Sequence, residues 1–335
     1  MKWISTTENE KWSKLNTFSK EKGEELKISD PIGKEIYGFG ACFNEIGMKA
    51  IASLSKARQN EIYDDLFSED GLNFCYNRIP VAANDFAEDW YSYNDTKGDY
   101  EMKNFSINRD KEYIIPAIKQ AQKRCPDMDF FASPWSPPTW MKYPQACNYG
   151  RLVQTEENLK AYALYLRKFT EEYAKEGIKI SHLHPQNEFL CDHKVPSCQY
   201  NADEMENFIA NYLIDEIGDL CEIWLGTNCW RDNYTPIYNT IMQNEKIRKN
   251  IKGAGFQWSA PRKYSYSARI TLIKTPFTPN VNAAMVKTLG NTLCMFLNFT
   301  DVQAKAVQEQ MFIGIWCLTR VAYLLGVGIR IRCLS

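Results

Sequence analysis

The sequence has no long run of apolar residues. No window reaches the roughly 18 uncharged apolar residues that a membrane-spanning helix needs. The first residues, Met1 to Lys11, lack the apolar core of a secretory signal. We therefore expect a cytoplasmic protein without a stable membrane anchor. The apolar stretch at residues 311–327 is interrupted by Arg320 and has no interface anchors at its flanks, so we do not interpret it as a membrane helix.

An excess of charge of one sign is also absent, and histidine is scarce. The 40 Lys and Arg residues against 41 Asp and Glu give a net charge of -1, and no basic stripe interleaves with aromatics, so no nucleic acid partner is expected. Of the three histidines, only His182 and His184 lie close together, and they lack a third metal ligand. The 11 cysteines form no Cys-x-x-Cys pair, which favours reduced thiols over a disulfide framework.

What the sequence does contain is an alternation of short apolar strands and amphipathic helices. Each strand is followed by a loop rich in Gly, Asn, Asp, Pro or Ser. The predicted strands are Ile36–Phe39, Leu72–Ile79, Met128–Ala132, Ile178–Pro185, Glu222–Thr227 and Ile251–Trp258, and the predicted helices are Ser55–Phe67, Tyr113–Arg124, Glu156–Glu176 and Ala202–Ile217. Six such units of roughly 40 residues predict an α/β fold, a (β/α)8 TIM barrel with parallel strands.

Polar and aromatic residues follow the predicted strands. They are Asp85 after the second strand, Trp135 after the third, Asn187 and Glu188 after the fourth, and Asn228 after the fifth. Because the carboxyl ends of barrel strands meet at one mouth, we expect these side chains to converge there. A structural alternative for Glu188 stays open, in which it caps a helix or pairs with Arg78.

The stretch Ser133–Lys142 contains three prolines and two tryptophans. The prolines forbid a regular helix or a central strand, so the stretch predicts a rigid loop. A fixed indole face in such a loop suits the apolar face of a pyranose. Core packing is the alternative, and it stays open for one of Trp135 and Trp140.

Five segments, in order along the chain, share a resemblance to one known family. They are Tyr37–Gly40, Tyr76–Pro80 followed by Asp85-Phe86, Ser133–Lys142, Gln186–Glu188 and Gly255–Trp258. Together they resemble glycoside hydrolase family 30, the family of the glucosylceramidases and of several bacterial β-glycanases and β-xylosidases. The resemblance runs from about Ile36 to Trp258. One departure is Phe189, where the family usually has proline.

The resemblance implies roles for five residues. Glu188 would be the general acid/base, Asn187 would hydrogen-bond the sugar 2-hydroxyl, and Arg78, Asp85 and Trp135 would line the glycone subsite. The implied substrate is a β-linked glycoside or oligosaccharide, with a glucosylceramidase-like pocket favoured. The implied reaction is retaining, in which a second carboxylate ~5–5.5 Å from the acid attacks the anomeric carbon. It requires no cofactor and no metal.

The second carboxylate is missing from the place where the resemblance puts it, the end of the seventh strand. From Ile251 to Ser335 the acidic residues are Asp301 and Glu309, and neither follows a convincing strand. Reading the codons for Val281–Cys294 displaced by one base is consistent with an original Glu-Cys-Gly-Asp-Gly, which is the family's nucleophile motif. We therefore hypothesise a one-base insertion or deletion in the codons for about Ser259 to Ala268.

This hypothesis predicts three parts. Residues 1–35 form an N-terminal segment with a side-domain strand at Leu26–Ile28, residues 36–258 hold barrel units one to six, and residues 259–335 are an out-of-frame tail. The last two barrel units and the β-sandwich side domain are then disrupted or missing. Without its nucleophile the chain as written is expected to be inactive.

Two other functional classes are the alternatives to this hydrolase. A carbohydrate-binding pseudoenzyme would use the same glycone pocket and cleave nothing. A barrel enzyme of another class, such as an aldolase, would need a strand-end lysine or clustered acidic metal ligands, which the sequence does not show.

Overall fold

The computed structural model describes the backbone at residues 3–5, 13–15, 38–229, 234–257, 282–285, 287–289 and 292–294, and the side chains over residues 38–227 and 236–255. The chain divides into two compact units, residues 1–38 with 296–335 and residues 39–295. In the first unit, β1 (Trp3–Ser5) pairs antiparallel with β2 (Ser13–Leu15). The predicted strand at Leu26–Ile28 lies outside the described residues.

The second unit alternates strands with helices. Its helices are α1 (Glu45–Ala52), α2 (Lys56–Phe67), α3 (Ile114–Gln122), α4 (Glu156–Lys175), α5 (Ala202–Phe208), α6 (Ile214–Ile217), α7 (Tyr234–Ile241) and α8 (Glu245–Asn250). Its strands are β3 (Tyr76–Val81), β4 (Asp129–Pro134), β5 (Lys142–Tyr143), β6 (Arg151–Leu152), β7 (Ile180–Leu183), β8 (Glu222–Cys229), β9 (Ile251–Gln257), β10 (Asn282–Met285), β11 (Lys287–Leu289) and β12 (Thr292–Cys294). Across the described part of the chain, the helices are all too short or too polar to cross a membrane.

Six strands form one parallel sheet, in the order β10-β9-β8-β7-β4-β3. Successive large strands are neighbours, and from β3 to β9 helices connect them, which is the arrangement of a TIM barrel wall and confirms the predicted fold class. β10 pairs with β9 in the seventh barrel position, from Asn282 opposite Gly253 to Met285 opposite Phe256. The described part of this seventh strand is four residues long, and the disruption of the last two units stays a prediction.

The described pairing of the first barrel strand includes Phe39, the last residue of the predicted Ile36–Phe39, and continues beyond it to residue 43. Backbone hydrogen bonds of 2.8–2.9 Å join residues 39–43 to Tyr76 and Arg78 of β3. Gly40 permits this approach, because a Cβ at that position would lie 1.6 Å from the carbonyl oxygen of Tyr76. Residues 36 and 37 lie outside the described part.

Helix α4 shows why the long helices were predictable. Thr155 caps its amino end by accepting from the Asn158 backbone N–H, and two glutamates occupy its first turn. Its buried stripe faces the sheet at three- and four-residue spacing and includes Leu159, Tyr162, Leu166, Phe169 and Tyr173. The helix ends before Gly177, whose φ of 77° suits glycine.

A row of rings crosses the sheet from β3 to β8. The centroids of Tyr76 and Phe131 are 5.2 Å apart, those of Phe131 and His182 are 5.1 Å apart, and those of His182 and Trp224 are 4.0 Å apart. Gly253 of β9 faces this row, since a Cβ there would lie 2.3 Å from the Trp224 ring. All four rings are buried, so the row forms part of the core of the sheet.

Candidate active site

Glu188 lies five residues beyond the end of β7, with 8% of its surface exposed. Its backbone has φ 48°, in the left-handed region that few non-glycine residues adopt. The backbone N–H donates to Thr227 Oγ1 of β8 over 3.2 Å. The structure therefore holds this carboxyl beside the end of its strand, next to the following strand of the sheet.

Asn187 is fixed by three hydrogen bonds. Its backbone N–H donates to the carbonyl oxygen of Pro134 over 2.7 Å. Its side-chain Oδ1 accepts from Arg78 Nη2 over 2.8 Å and from Thr227 Oγ1 over 3.3 Å. Because Oδ1 accepts from Arg78 of β3 and from Thr227 of β8, these two strands together fix the orientation of the Asn187 amide.

Arg78 links β3 to β4 and to the loop after β7. Its Nε donates to Ser133 Oγ over 2.9 Å, and its Nη2 donates to the same hydroxyl. The guanidinium carbon lies 4.2 Å from the centroid of the Trp135 ring, within range of a cation–π contact. None of the Arg78 surface is exposed, so the residue acts as an internal brace.

Burial lowers the pKa of Arg78 to about 10 because the charged form loses its hydration. Nearby Cys42, Asp85 and Glu188 oppose this shift, since negative charge on them favours the cation. At neutral pH the guanidinium is still charged. Its charge thus interacts with two carboxyl groups predicted for the site.

Asp85 differs from the other four predicted residues because it is exposed. It lies in a turn after β3, where Asn84 Oδ1 accepts from the Phe86 N–H over 2.8 Å. Direct contacts therefore join Arg78 to Trp135 and Asn187, Glu188 follows Asn187 within electrostatic range of Arg78, and Asp85 lies at the surface within electrostatic range of the same guanidinium.

The predicted stacking platform at Trp135 is not an open one. The residue is 3% exposed, and the Arg78 guanidinium lies over its ring. Trp140 follows the core-packing alternative: its Nε1 donates to the Asn94 carbonyl over 2.9 Å and its ring packs against the edge of Tyr100. Pro134 ends strand β4, and a single 3-10 turn follows at Thr139–Met141, so the rigidity of the stretch stays a prediction. The proline-rich sequence carries no information about which face of a ring a neighbouring side chain covers.

His193 is one of three site residues that the sequence did not indicate. Its Nε2 lies 2.9 Å from Glu188 Oε2, and 40% of its side chain is exposed. It stands five residues after Glu188 in an irregular loop, where no strand or helix period indicates proximity. Thr227 and Ser133 were also unassigned, although both lie on strands that flank predicted residues.

His182 and His184, which lie close together in the sequence, are both buried in the core. Burial lowers the pKa of His182 to about 3, and its Nε2 forms a 2.9 Å hydrogen bond with the Tyr76 hydroxyl. Burial also holds the pKa of His184 well below its ordinary value. Both rings are therefore neutral packing groups at physiological pH.

Two predicted positions fall outside the described side chains. Asn228 lies within β8 rather than after it, and the expected nucleophile region around Val281 and Asn282 meets the start of β10. The backbone of β10 confirms only that a strand reaches this side of the sheet.

Comparisons with known proteins point in one direction. The family model for the glycosyl hydrolase family 30 TIM-barrel domain matches residues 36–218. Putative glucosylceramidase 2 of Caenorhabditis elegans is 40% identical over 182 residues, which cover 52% of this chain and 35% of that protein. Lysosomal acid glucosylceramidase of Mus musculus is 32% identical over 160 residues, covering 46% and 31%. The chain thus spans about a third of the length of these curated relatives.

A solved structure shares the fold. SrfJ from Salmonella typhimurium superposes with a TM-score of 0.71 at 24% sequence identity, covering 91% of this chain and 69% of the other. At this identity the similarity supports the barrel architecture, and the site must be argued from its own residues.

Proposed function

Because the chain belongs to glycosyl hydrolase family 30, we propose that it is built as a retaining β-glycoside hydrolase with Glu188 as its general acid/base. The observation that carries this proposal is the buried carboxyl at the carboxyl end of β7, beside an asparagine whose amide is fixed from two strands. Glu188 protonates the leaving oxygen in the first step and activates water in the second.

The neighbouring residues have supporting roles in this proposal. Asn187 binds the sugar 2-hydroxyl through its side-chain amide. Arg78 is a positioning residue, since it acts through Asn187 and is itself fully buried. Trp135 supports the guanidinium from below, and the exposed Asp85 offers a carboxylate to hydroxyl groups of the glycone.

A β-glucoside is the proposed substrate class. Two relatives that the chain resembles carry the name glucosylceramidase, at 40% identity over 182 residues and 32% identity over 160 residues. We therefore propose glucose as the glycone and a lipid as one aglycone, which would place the reaction in sphingolipid metabolism.

The double displacement also needs a nucleophile, and we propose that the chain as written lacks it. Two acidic residues occur from Ile251 onward, against 39 before it, and neither follows a predicted strand. Without a carboxylate about 5–5.5 Å from the acid, the covalent intermediate does not form. The chain as written is then inactive, in agreement with the frame-displacement hypothesis.

A direct test compares two proteins, this chain and a version with the reading frame restored after Trp258. Aryl β-glucoside, β-xyloside and β-fucoside are the substrates. We expect hydrolysis of the β-glucoside by the restored protein alone. In that protein Glu188→Gln should lower kcat by a factor on the order of 10²–10⁴ for a substrate that needs acid assistance. Glu157→Gln, on the exposed face of α4, is the matched control and should leave kcat unchanged.

Each outcome decides a separate point. Turnover by the chain as written would contradict the proposal that it lacks a nucleophile. A restored protein that folds but has no activity would contradict the proposal that it is a hydrolase. The scarcity of acidic residues after Ile251 favours a second candidate, a carbohydrate-binding pseudoenzyme. Saturable binding of glucosides to the chain as written, measured by calorimetry without turnover, would support that function.

A further inference from the structure

The loop after β7 brings three different metal-ligating side chains together. They are the Glu188 carboxylate, the Cys191 thiol and the His193 imidazole, and their ligand atoms all lie within 4.8 Å of one another. We propose that these three residues form a binding site for a zinc ion.

The mixture of donors selects the class of metal. A thiolate and an imidazole favour Zn²⁺ and similar borderline ions, whereas Ca²⁺ and Mg²⁺ prefer oxygen ligands. At zinc bond lengths of about 2.0–2.3 Å, two tetrahedral ligands stand about 3.5 Å apart. His193 Nε2 and Glu188 Oε2, at 2.9 Å, are closer than this, and all three ligand atoms lie within 4.8 Å of one another. Small side-chain rotations bring all three onto one ion.

Backbone contacts already fix the spacing of the ligands. The Cys191 N–H donates to the Glu188 carbonyl over 2.8 Å, which closes a tight turn between the first two ligands. The His193 N–H donates to Ser197 Oγ over 3.2 Å, so the third ligand is anchored to the same loop. A loop that is ordered before the ion arrives loses less conformational freedom on binding.

A second loop holds this one from outside. The Gly150 N–H donates to Asp192 Oδ1 over 2.9 Å, and the Tyr149 N–H donates to the His193 carbonyl over 3.2 Å. Asp192 lies between Cys191 and His193 in the sequence, so the second loop restrains the segment that carries the ligands. The side chains of the ligands therefore adjust while their backbone stays in place.

The site is accessible from one side. The His193 side chain is 40% exposed whereas that of Glu188 is 9% exposed, so an ion reaches the carboxylate past the imidazole. Many catalytic zinc centres consist of three protein ligands and a fourth position that is open to water. By contrast, the core pair of His182 and His184 has no such access.

A bound zinc ion would occupy the carboxylate that the proposed hydrolase uses as its proton donor. This consequence rests on the proposed function, but the binding site does not. In a protein that hydrolyses glycosides, zinc at this position would block protonation of the leaving group, and removal of zinc by a chelator would restore it.

The test titrates the full chain with Co²⁺, a spectroscopic substitute for zinc, and follows the thiolate-to-metal charge-transfer absorption. One equivalent should produce the band, and added Zn²⁺ should remove it. Cys191→Ser should abolish the band, and His193→Gln should weaken Co²⁺ binding at least about 10-fold. Cys125→Ser, which also removes a half-buried thiol, is the matched control and should keep the band.

The proposal is overturned if Cys191→Ser, folded by circular dichroism, retains the band, because the metal then binds at another of the 11 cysteines. It is equally overturned if the unaltered chain binds neither ion. Neither result bears on hydrolysis, since no substrate is present. Failure of the hydrolase in the frame-restored protein would in turn leave the metal titration unaffected.

Discussion

Arg78 and Lys142 are both buried cations, but different kinds of groups hold them. Arg78 lies in a strand of the sheet, and its partners are the side chains of Ser133 and Asn187 and the ring of Trp135. Burial lowers its pKa to about 10. Its flat fork of donors orients two polar side chains at once, which an ammonium group does not do.

Lys142 lies at the start of the short strand β5, outside the barrel wall. Its Nζ donates to Ser136 Oγ over 3.1 Å and to the carbonyl oxygens of Cys147 and Ser197 over 2.9 Å and 2.6 Å. Burial lowers its pKa as well. A cation among carbonyl oxygens ties loops together, whereas a cation among side chains sets the geometry of a site.

The largest effect is expected from Arg78→Leu. Two polar groups would lose charge-assisted donors, at about 1.5–3 kcal/mol each, so the free energy of unfolding should fall by about 3–6 kcal/mol. Urea denaturation followed by tryptophan fluorescence measures it. Arg58→Leu is the control, because Arg58 pairs with Glu61 on the exposed face of α2. Equal losses in the two variants would contradict the bracing role of Arg78.

Acid should lower the free energy of unfolding through His182 in the row of rings, and not through the loops around Lys142. His182 has a pKa of about 3 in the fold and about 6.5 when unfolded, so the unfolded chain binds more protons between these values. Its contribution to stability is complete above pH 6.5 and is lost as the pH falls towards 3. Between pH 7 and pH 4 the loss should be about 3 kcal/mol.

The measurement compares urea denaturation of the unaltered chain and of His182→Phe at both pH values. Phenylalanine keeps a ring between Phe131 and Trp224 but does not titrate. It also leaves the Tyr76 hydroxyl without its imidazole partner, so the variant starts less stable at pH 7. A flatter pH dependence in the variant is expected, and an unchanged slope would show that His182 is not the acid-sensitive group.

The smallest of the three effects is expected from Lys142→Met. The variant keeps the packed stem and loses three hydrogen bonds, but it also removes the cost of burying a charge. The free energy of unfolding should therefore fall by only about 1–2 kcal/mol. Hydrogen exchange of the Ser197 and Tyr149 amides, which bond across the same loops, should become faster. A loss as large as that of Arg78→Leu would remove the distinction between the two cations.

The regular elements were predictable because their signals are local. The helices at Lys56–Phe67 and Glu156–Lys175 were expected almost to the residue, since each has a serine or threonine cap and a clear apolar stripe. Helix α1 was missed. Its Asn44 cap was present in the sequence, but Gly47 in its first turn weakens the helical pattern.

That several of the predicted residues lie close together was predictable from the sequence, and how they face one another was less so; their roles stay predictions. The strand assignments placed Asn187 and Glu188 at the same end of the sheet as Trp135, since parallel strands bring their carboxyl ends to one edge. The covered face of Trp135 and the contact of His193 with Glu188 depend on loop conformation, which no short-range pattern specifies. Asp85 follows the correct strand, yet its turn leaves it at the surface.

The left-handed backbone at Glu188 has a consequence for the evolution of this gene. A glutamate at φ 48° costs about 1–2 kcal/mol relative to a conformation that suits its Cβ, and glycine adopts this region without that cost. In the hydrolase proposed above, the need for a proton donor explains an unfavourable residue at such a position. In a copy of the gene that no longer needs that activity, a change to glycine at 188 would relieve the backbone cost, so loss of the proposed acid is an accessible step.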